Sequence, residues 1–452
     1  MDTGKNVYEI FFSALRAVDP FFIVKENADR IYPEIINGKF KRVILAGFGK
    51  ASFQMAGAVE ESIGSDLITD GVVITKYGHI TKDDARSTIQ DTGKIRVFEA
   101  GHPIPDENGL KATGEAVSLL KNADRGTLVL CLISGGGSAL LVSPYTGITL
   151  NEKQIITGLL LKSGADITEL NAVRKHISGV KGGRLAEIVY PAKVISLIIS
   201  DVIGDKLDVI ASGPTSADNS TFQDAIDVIH KYNLKEKTPV SILETLKKGR
   251  EGLIPETPKK NNPVFKNVQN IIIGSNQTAL NAAQGRAQAL GFQTEILSSE
   301  ISGEARDVGK WLAEKAIKCK GTEAQRSKAQ TCLPAGRGTK CLISGGETTV
   351  TVTGNGKGGR NTELALSFAR EIQDIEGITL LSAGTDGTDG PTDAAGAIVD
   401  GSTIEKAKSL GLDPDEYLAD NDSYNFFKKI DSLLITGPTG TNVMDVQIVL
   451  VE

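Results

Sequence analysis

Residues 127–141 read TLVLCLISGGGSALL, eight residues without a charge or a polar alternation, then three glycines and a serine, then apolar residues again. A run this short and this uniformly apolar suits a strand covered on both faces, because a strand with one wet face would alternate. Working outward, RVILAGF (42–48) runs into GKAS, and KVISLIIS (193–200) runs into Asp201. Further strand candidates are GVVITK (71–76), IRVFEA (95–100), NIIIGS (270–275), QTEILS (293–298), KCLIS (340–344), TTVTVT (348–353), ITLLSAG (378–384), AGAIVD (395–400) and SLLITG (432–437). Helical patterns separate many of them. The alternation predicts an α/β protein with mostly parallel sheets.

The 452 residues suffice for two or three domains. Fifty Lys and Arg against 56 Asp and Glu give a formal charge of −6, so no nucleic-acid partner is expected. No stretch approaches the roughly 18 apolar residues of a membrane span. Asp2, Glu9 and Asp19 fall where a signal peptide needs an apolar core. A cytoplasmic protein without a membrane partner is expected. An opening amphipathic segment (Ile10, Phe11, Ala14, Leu15, Val18) stops at Asp19-Pro20. Between about residues 231 and 265 the composition turns to Lys, Pro, Glu and Asn, which places domains at 1–240 and 266–452 around a linker at 241–265. The stretch 319–340 has little apolar periodicity and reads as an exposed loop or disordered insert. Cys131 and Cys341 sit in apolar runs and read as buried thiols.

The 49 glycines cluster. Four glycine-rich turns leave predicted strands: AGFGKAS (46–52), ISGGGSALL (133–141), ISGGETT (343–349) and TGNGKGGRNTELAL (353–366). In an open α/β sheet, ligands lie beyond the carboxyl ends of the strands, where glycine lets amides approach an anion. Gly49, Ser134, Gly135, Gly136, Gly137, Ser138, Gly345, Gly346, Gly358, Gly359 and Asn361 are therefore candidate phosphate or substrate contacts. Tight turns that bind nothing are the competing reading. LISGG occurs at 132–136 and again at 342–346, which suggests two halves built alike. There is no G-x-x-x-x-G-K-[ST] and no G-x-S-x-G; GNGKGG matches G-x-G-x-x-G, but the strand-helix-strand unit ending in a ribose-binding acid is not clear around it.

Lys50 and Arg360 both fall at predicted helix starts, where the helix dipole disfavours a cation unless an anion lies between it and the amides. Side chains turned into solvent are the alternative. NAVRKHISGVKGGRLAE gathers Arg174, Lys175, His176, Lys181 and Arg184; Arg174 and Lys175 are candidate substrate contacts, against a solvated charged face. Glu347, Asp386 and Asp389 are candidate Mg²⁺ ligands, since Mg²⁺ takes one or two carboxylates plus phosphate and water. For the aspartates, Asx-turns compete. Asp201 directly ends an apolar strand and either accepts the proton of a substrate hydroxyl or holds metal.

Together, ILAGFGKAS, GHPIPDENGL, LISGGGSALL, LNAVRKHISGVKGGRLA, SLIISDVIGDKLDVIASGPT, SGGETTVTV, GKGGRNTELAL, SAGTDGTDGPTDAAGAIVD and LLITGPTGTNVMD resemble the class II glycerate kinase family, in order and over nearly the whole chain. The resemblance implies a Rossmann-like N-terminal α/β domain and a C-terminal MOFRL-type α/β domain flanking an active-site cleft. It also implies phosphorylation of D-glycerate by ATP with Mg²⁺, usually to 2-phosphoglycerate, by a monomer or small homo-oligomer. Lys50 and Arg360 match the lysine and arginine proposed as functional in that family; with Asp201 they form the expected catalytic set. The stretch 319–340 is longer than the family's link at that place. A NAD(P)-dependent hydroxypyruvate reductase and a non-catalytic sugar-phosphate sensor are the alternatives.

Overall fold

The computed structural model describes residues 3–80, 93–327 and 339–452. They fall into two compact units, Pro20–Ile273 and a second made of Met1–Asp19 with Gly274–Glu452. Residues 241–265, expected as a linker, lie inside the first unit, and Val240–Arg250 is a helix there.

The first unit is built on six strands: β1 (Arg42–Phe48), β2 (Asp70–Lys76), β3 (Ile95–Ala100), β4 (Thr127–Ile133), β5 (Lys193–Ile199) and β6 (Val268–Gly274). Their order is β3-β2-β1-β4-β5-β6, and β3 through β5 pair in parallel. That is the doubly wound order, with its switch point between β1 and β4. Every residue of β4 is buried, as a strand covered on both faces requires. Its core joins Ile44, Phe48, Ile74, Val129 and Ile133 to helix residues such as Ala112 and Leu185. Cys131 belongs to this core, and burial pushes its thiol up to about 12. A separate apolar cluster (Ile156, Leu160, Leu170, Val173, Phe222, Ile242) ties together the helices Leu150–Lys162, Ile167–His176, Phe222–Lys231 and Val240–Arg250. The first three start on side-chain capping boxes, Thr149 with Glu152, Asp166 with Glu169 and Thr221 with Asp224.

The second unit holds β7 (Gln293–Ile301), β8 (Lys340–Gly346), β9 (Ile378–Gly384), β10 (Gly396–Asp400), β11 (Leu433–Leu434) and β12 (Asp445–Val451), in the order β11-β10-β9-β12-β8-β7. Here the expectation of a mostly parallel sheet is corrected. Only β7 and β8 pair in parallel; β12 lies between β8 and β9 and runs antiparallel to both. The fully buried β12 was not among the expected strands, and it decides the topology. In contrast, TTVTVT (348–353) forms no strand beyond a bridge between Thr349 and Glu304. Val350 packs against the unit's core, but Val352, which would share its face in a strand, is 73% exposed, so the run buries no continuous apolar face.

The opening helix, Thr3–Ala17, buries Ile10, Phe11, Ala14 and Leu15 within this second unit, although it precedes the first in sequence. Residues 319–327 continue the helix Ala305–Ser327 instead of forming a loop; 328–338 lie outside the described residues. No helix among the described residues is long and apolar enough to cross a membrane.

Candidate active site

At the switch point of the first sheet, β1 runs into Gly49 and Lys50, and β4 into Ser134-Gly135-Gly136-Gly137. The two turns are laced together: Lys50 N–H donates to the Gly135 carbonyl at 2.8 Å, and Ala51 N–H to Ser134 Oγ at 3.0 Å. Gly49 has φ 136°, and a Cβ on it would stand 2.2 Å from Ser134 Oγ, so only glycine fits there.

The glycines of β4's turn make room for chemistry. A Cβ on Gly135 would lie 2.3 Å from Asp201 Oδ2; one on Gly136 would lie 2.8 Å from the His102 ring and 3.2 Å from Lys50 Cγ. Lys50, His102 and Asp201 therefore converge on one dipeptide, brought there by the ends of β1, β3 and β5. Among the described residues the N–H groups of Gly135 and Gly136 meet no acceptor. Burial raises the Asp201 pKa, against the pull of the Lys50 ammonium. Burial, then Lys50, Lys76 and His79, lowers His102 to about 4, so the imidazole is neutral at physiological pH. His79 Nδ1 contacts the Lys50 carbonyl at 3.0 Å.

Ser138 Oγ lies 2.7 Å from Ser212 Oγ, which in turn donates to Asn171 Oδ1. The charged run after Asn171 is not a solvated face. Lys175 and His176 are 3% and 0% exposed, and Lys175 pairs with Asp208 and Asp218 at 3.3 and 3.1 Å. Lys175 is thus held by protein carboxylates, which corrects its expected role at a ligand. Among the described residues Arg174, half-buried, has no such partner.

In the second unit, Arg360 opens the helix Arg360–Glu371 and is gripped by protein. It donates bidentately to Asp445, Nε to Oδ2 at 2.6 Å and Nη2 to Oδ1 at 2.9 Å, and Nη1 reaches Glu347 at 2.7 Å. Asp445 stands at the start of β12, in register with Gly346 at the end of β8 and Gly384 at the end of β9. Burial disfavours the Arg360 cation, but Asp445 and Glu347 outweigh it and raise its pKa.

Asp389 is buried and saturated. Its carboxylate accepts from the N–H groups of Asn361 and Thr362, both at 2.8 Å, and from Thr362 Oγ1 at 2.7 Å. It caps a helix, which corrects its expected role as a metal ligand. Asp386 accepts from Thr388 in an Asx-turn. Among the described residues no three His, Cys, Asp or Glu side chains gather as a metal cluster.

The GNGKGG segment follows no strand, and its amides are engaged except that of Gly358. Gly354, Asn355 and Lys357 donate to Asn421, Asp420 and Asp422, and Gly359 to Thr362. Cβ atoms on Gly358 and Gly359 would collide with Ser423 and Asp389, and one on Gly345 with Asn276. Gly346, with φ 143°, abuts the Ile301 backbone. Gly345, Gly346, Gly358 and Gly359 are accordingly packing glycines, and Asn361 is a buried hub between Asp389 and Ser382.

Three participants had escaped notice in the sequence. His102 was legible as the residue after strand IRVFEA and its glycine. Asp445 needed β12. Lys153, buried beside the Arg174 charge, had no local signal.

Open amides beside Lys50 and Asp201 thus lie at the switch point of a doubly wound sheet, the place where α/β proteins of this class bind ligands. Residues 6–247 match the family described as a domain of unknown function (DUF4147), and 340–445 match the MOFRL family. D-glycerate 2-kinase of Thermotoga maritima is 46% identical over 449 residues, covering 99% of this chain and 98% of that protein. Glycerate 2-kinase of Pyrococcus horikoshii is 43% identical over 463 residues, covering 100% and 98%. The crystal structure of the Thermotoga maritima glycerate kinase aligns with a TM-score of 0.85 at 46% identity, covering 99% of each chain. The chain belongs to the glycerate kinase family that carries a MOFRL domain.

Proposed function

We propose that the chain is a glycerate kinase, transferring the γ-phosphoryl group of ATP to D-glycerate to give 2-phosphoglycerate. The observation that carries the site assignment is the convergence of Lys50 and Asp201 on Gly135-Gly136. In the step, the glycerate hydroxyl oxygen bonds to the γ-phosphorus, the bond to the ADP oxygen breaks, and the hydroxyl proton passes to Asp201. A carboxylate whose pKa is raised by burial is a better base than an ordinary one. Lys50 neutralises charge on the transferring group, and the Gly135 and Gly136 amides face its oxygens. Neutral His102 offers a hydrogen bond without adding charge.

Arg360 is assigned to the same reaction, with its fork set by Asp445 and Glu347 before any ligand arrives. Glu347 and Asp386 are hard oxygen donors of the kind Mg²⁺ takes one or two of, and they fit a metal held chiefly by nucleotide phosphates. When bound, that ion offsets phosphate charge.

Two structural features disfavour the dehydrogenase alternative: β2 ends in Lys76 where a NAD-binding unit places its ribose acid, and GNGKGG follows no strand. Incubation with ATP, Mg²⁺ and D-glycerate, read by phosphorus NMR, is expected to show ADP and a phosphomonoester on the 2-oxygen. NADH consumption with hydroxypyruvate in the absence of ATP would instead reinstate the reductase.

A further inference from the structure

The first unit buries two lysines beside a half-buried arginine. Lys153 is 3% exposed and Lys181 is 0% exposed, and half-buried Arg174 lies close enough for its charge to act on both. Among the described residues none of the three has a carboxylate within ion-pair distance, and Lys181 Nζ donates only to the Ser138 carbonyl, at 2.8 Å. Clustered like charges removed from water are strongly disfavoured without a counter-charge. Burial together with Arg174 accordingly lowers Lys153 to about 8, and burial with both neighbours takes Lys181 well below the usual lysine range.

A second observation points to the same place. Asn171, 2% exposed, accepts from Ser212 through Oδ1, while its Nδ2 has no partner among the described residues. A buried amide left without an acceptor is destabilising, so its persistence calls for one. Asn171 and Arg174 stand three residues apart on the helix Ile167–His176 and share a face of it. The chain Asn171–Ser212–Ser138 joins that face to the turn that carries Gly136.

We propose that Lys153, Arg174, Lys181 and the Asn171 amide form the seat for the carboxylate of the acceptor, a small 2-hydroxy acid. The proposal rests on the kinase reading and names the acid-recognition end of its site. Ser138 is two residues from Gly136, at most about 7 Å along the chain. A three-carbon acid spans that distance, with its carboxylate at the cations and its hydroxyl toward Lys50 and Asp201. Half-buried Arg174 and Ser138 leave an entrance, while the enclosed lysines suit a small monoanion better than a bulky metal-bound triphosphate.

The test uses full-length Lys153→Met and Arg174→Met, with ATP, Mg²⁺ and D-glycerate. Loss of charge-assisted hydrogen bonds is expected to raise KM for D-glycerate roughly 10- to 100-fold, with KM for ATP within about twofold. A rise in KM for ATP alone would make the seat a phosphate site and overturn the proposal, as would two unchanged KM values. Thermal melting of the wild-type protein supplies a check independent of the variants' folding. D-glycerate without nucleotide is expected to raise Tm, and glycerol, which has the hydroxyls and no carboxylate, is not; equal shifts would overturn the seat. Absent wild-type turnover would sink the kinase reading, whereas full turnover with unmoved KM values would sink the seat alone.

Discussion

The turn after β4 and the segment before the helix Arg360–Glu371 carry the same sequence signal, glycines followed by a helix, and fold to opposite ends. At Gly135 and Gly136 the amides are open and the absent Cβ atoms make room for Asp201, His102 and Lys50. Between Gly354 and Thr362 most of the amides are taken up by Asp420, Asn421, Asp422, Thr362 and Asp389, those of Gly358 and Arg360 excepted. Both segments satisfy the rule that an anion belongs where amides gather at a helix start. In one the amides stay open; in the other the protein supplies the anion. Glycine density thus marks where backbone must come close to something, without saying whether that something is substrate or self.

The comparison is broken most directly at the open turn. Lys50→Ala and Asp201→Asn are each expected to lower kcat/KM by about 10²- to 10⁴-fold, the usual range for removing a base or a charge-stabilising group. Tm should hardly move. The pH profile sharpens the assignment: because burial raises Asp201, the acid limb of kcat/KM should lie above the ordinary carboxylate range near about 3.9, and Asp201→Asn should abolish that limb. Activity falls as pH drops through the raised pKa, since the protonated form cannot accept the hydroxyl proton. Large destabilisation with proportionate activity would return Lys50 to a structural role.

How far the sequence carried the argument depended on distance along the chain. β1 and β9 are legible residue for residue, because a largely apolar run defines a buried strand locally, and so is the edge strand β3, whose Arg96 stays exposed. Lys50 and Asp201 are legible for the same reason, as the polar residues just after such runs. Asp389 was not, since its partners at 361 and 362 lie 28 and 27 residues away and its local string, TDGTDG, reads equally well as a turn. Lys175 looked solvated until Asp208 and Asp218 were seen to bury it. Asp445 ends the motif LLITGPTGTNVMD, yet its meaning rests on β12 running antiparallel between two strands whose ends it must meet. Charge and glycine are visible in a sequence; the partner that gives each its role is set by the fold.

A smaller effect is expected where protein already fills the anion position. Arg360→Lys should lower kcat by about tenfold or more, because an ammonium does not reproduce the guanidinium fork. It also leaves buried Asp445 imperfectly paired, so unlike the Lys50 variant it should lower Tm measurably. An unchanged kcat with reduced Tm would make Arg360 a structural clasp and leave the first unit's turn to do the chemistry.

The least effect on turnover belongs to Asp389→Asn. The carboxylate accepts on both oxygens, and the amide that replaces it turns an N–H₂ group toward one of the backbone donors of Asn361 or Thr362. The expected outcome is a loss of about 1–3 kcal/mol, seen as a Tm lower by a few degrees, with kcat well below the melting range near wild type. The Mg²⁺ concentration for half-maximal activity should stay within about twofold, since both oxygens face the chain's own amides and hydroxyl and a cation would have to displace those donors. A tenfold or greater rise in that concentration, with Tm intact, would show that the segment opens to a metal and that the two glycine-rich regions are more alike than their hydrogen bonds make them.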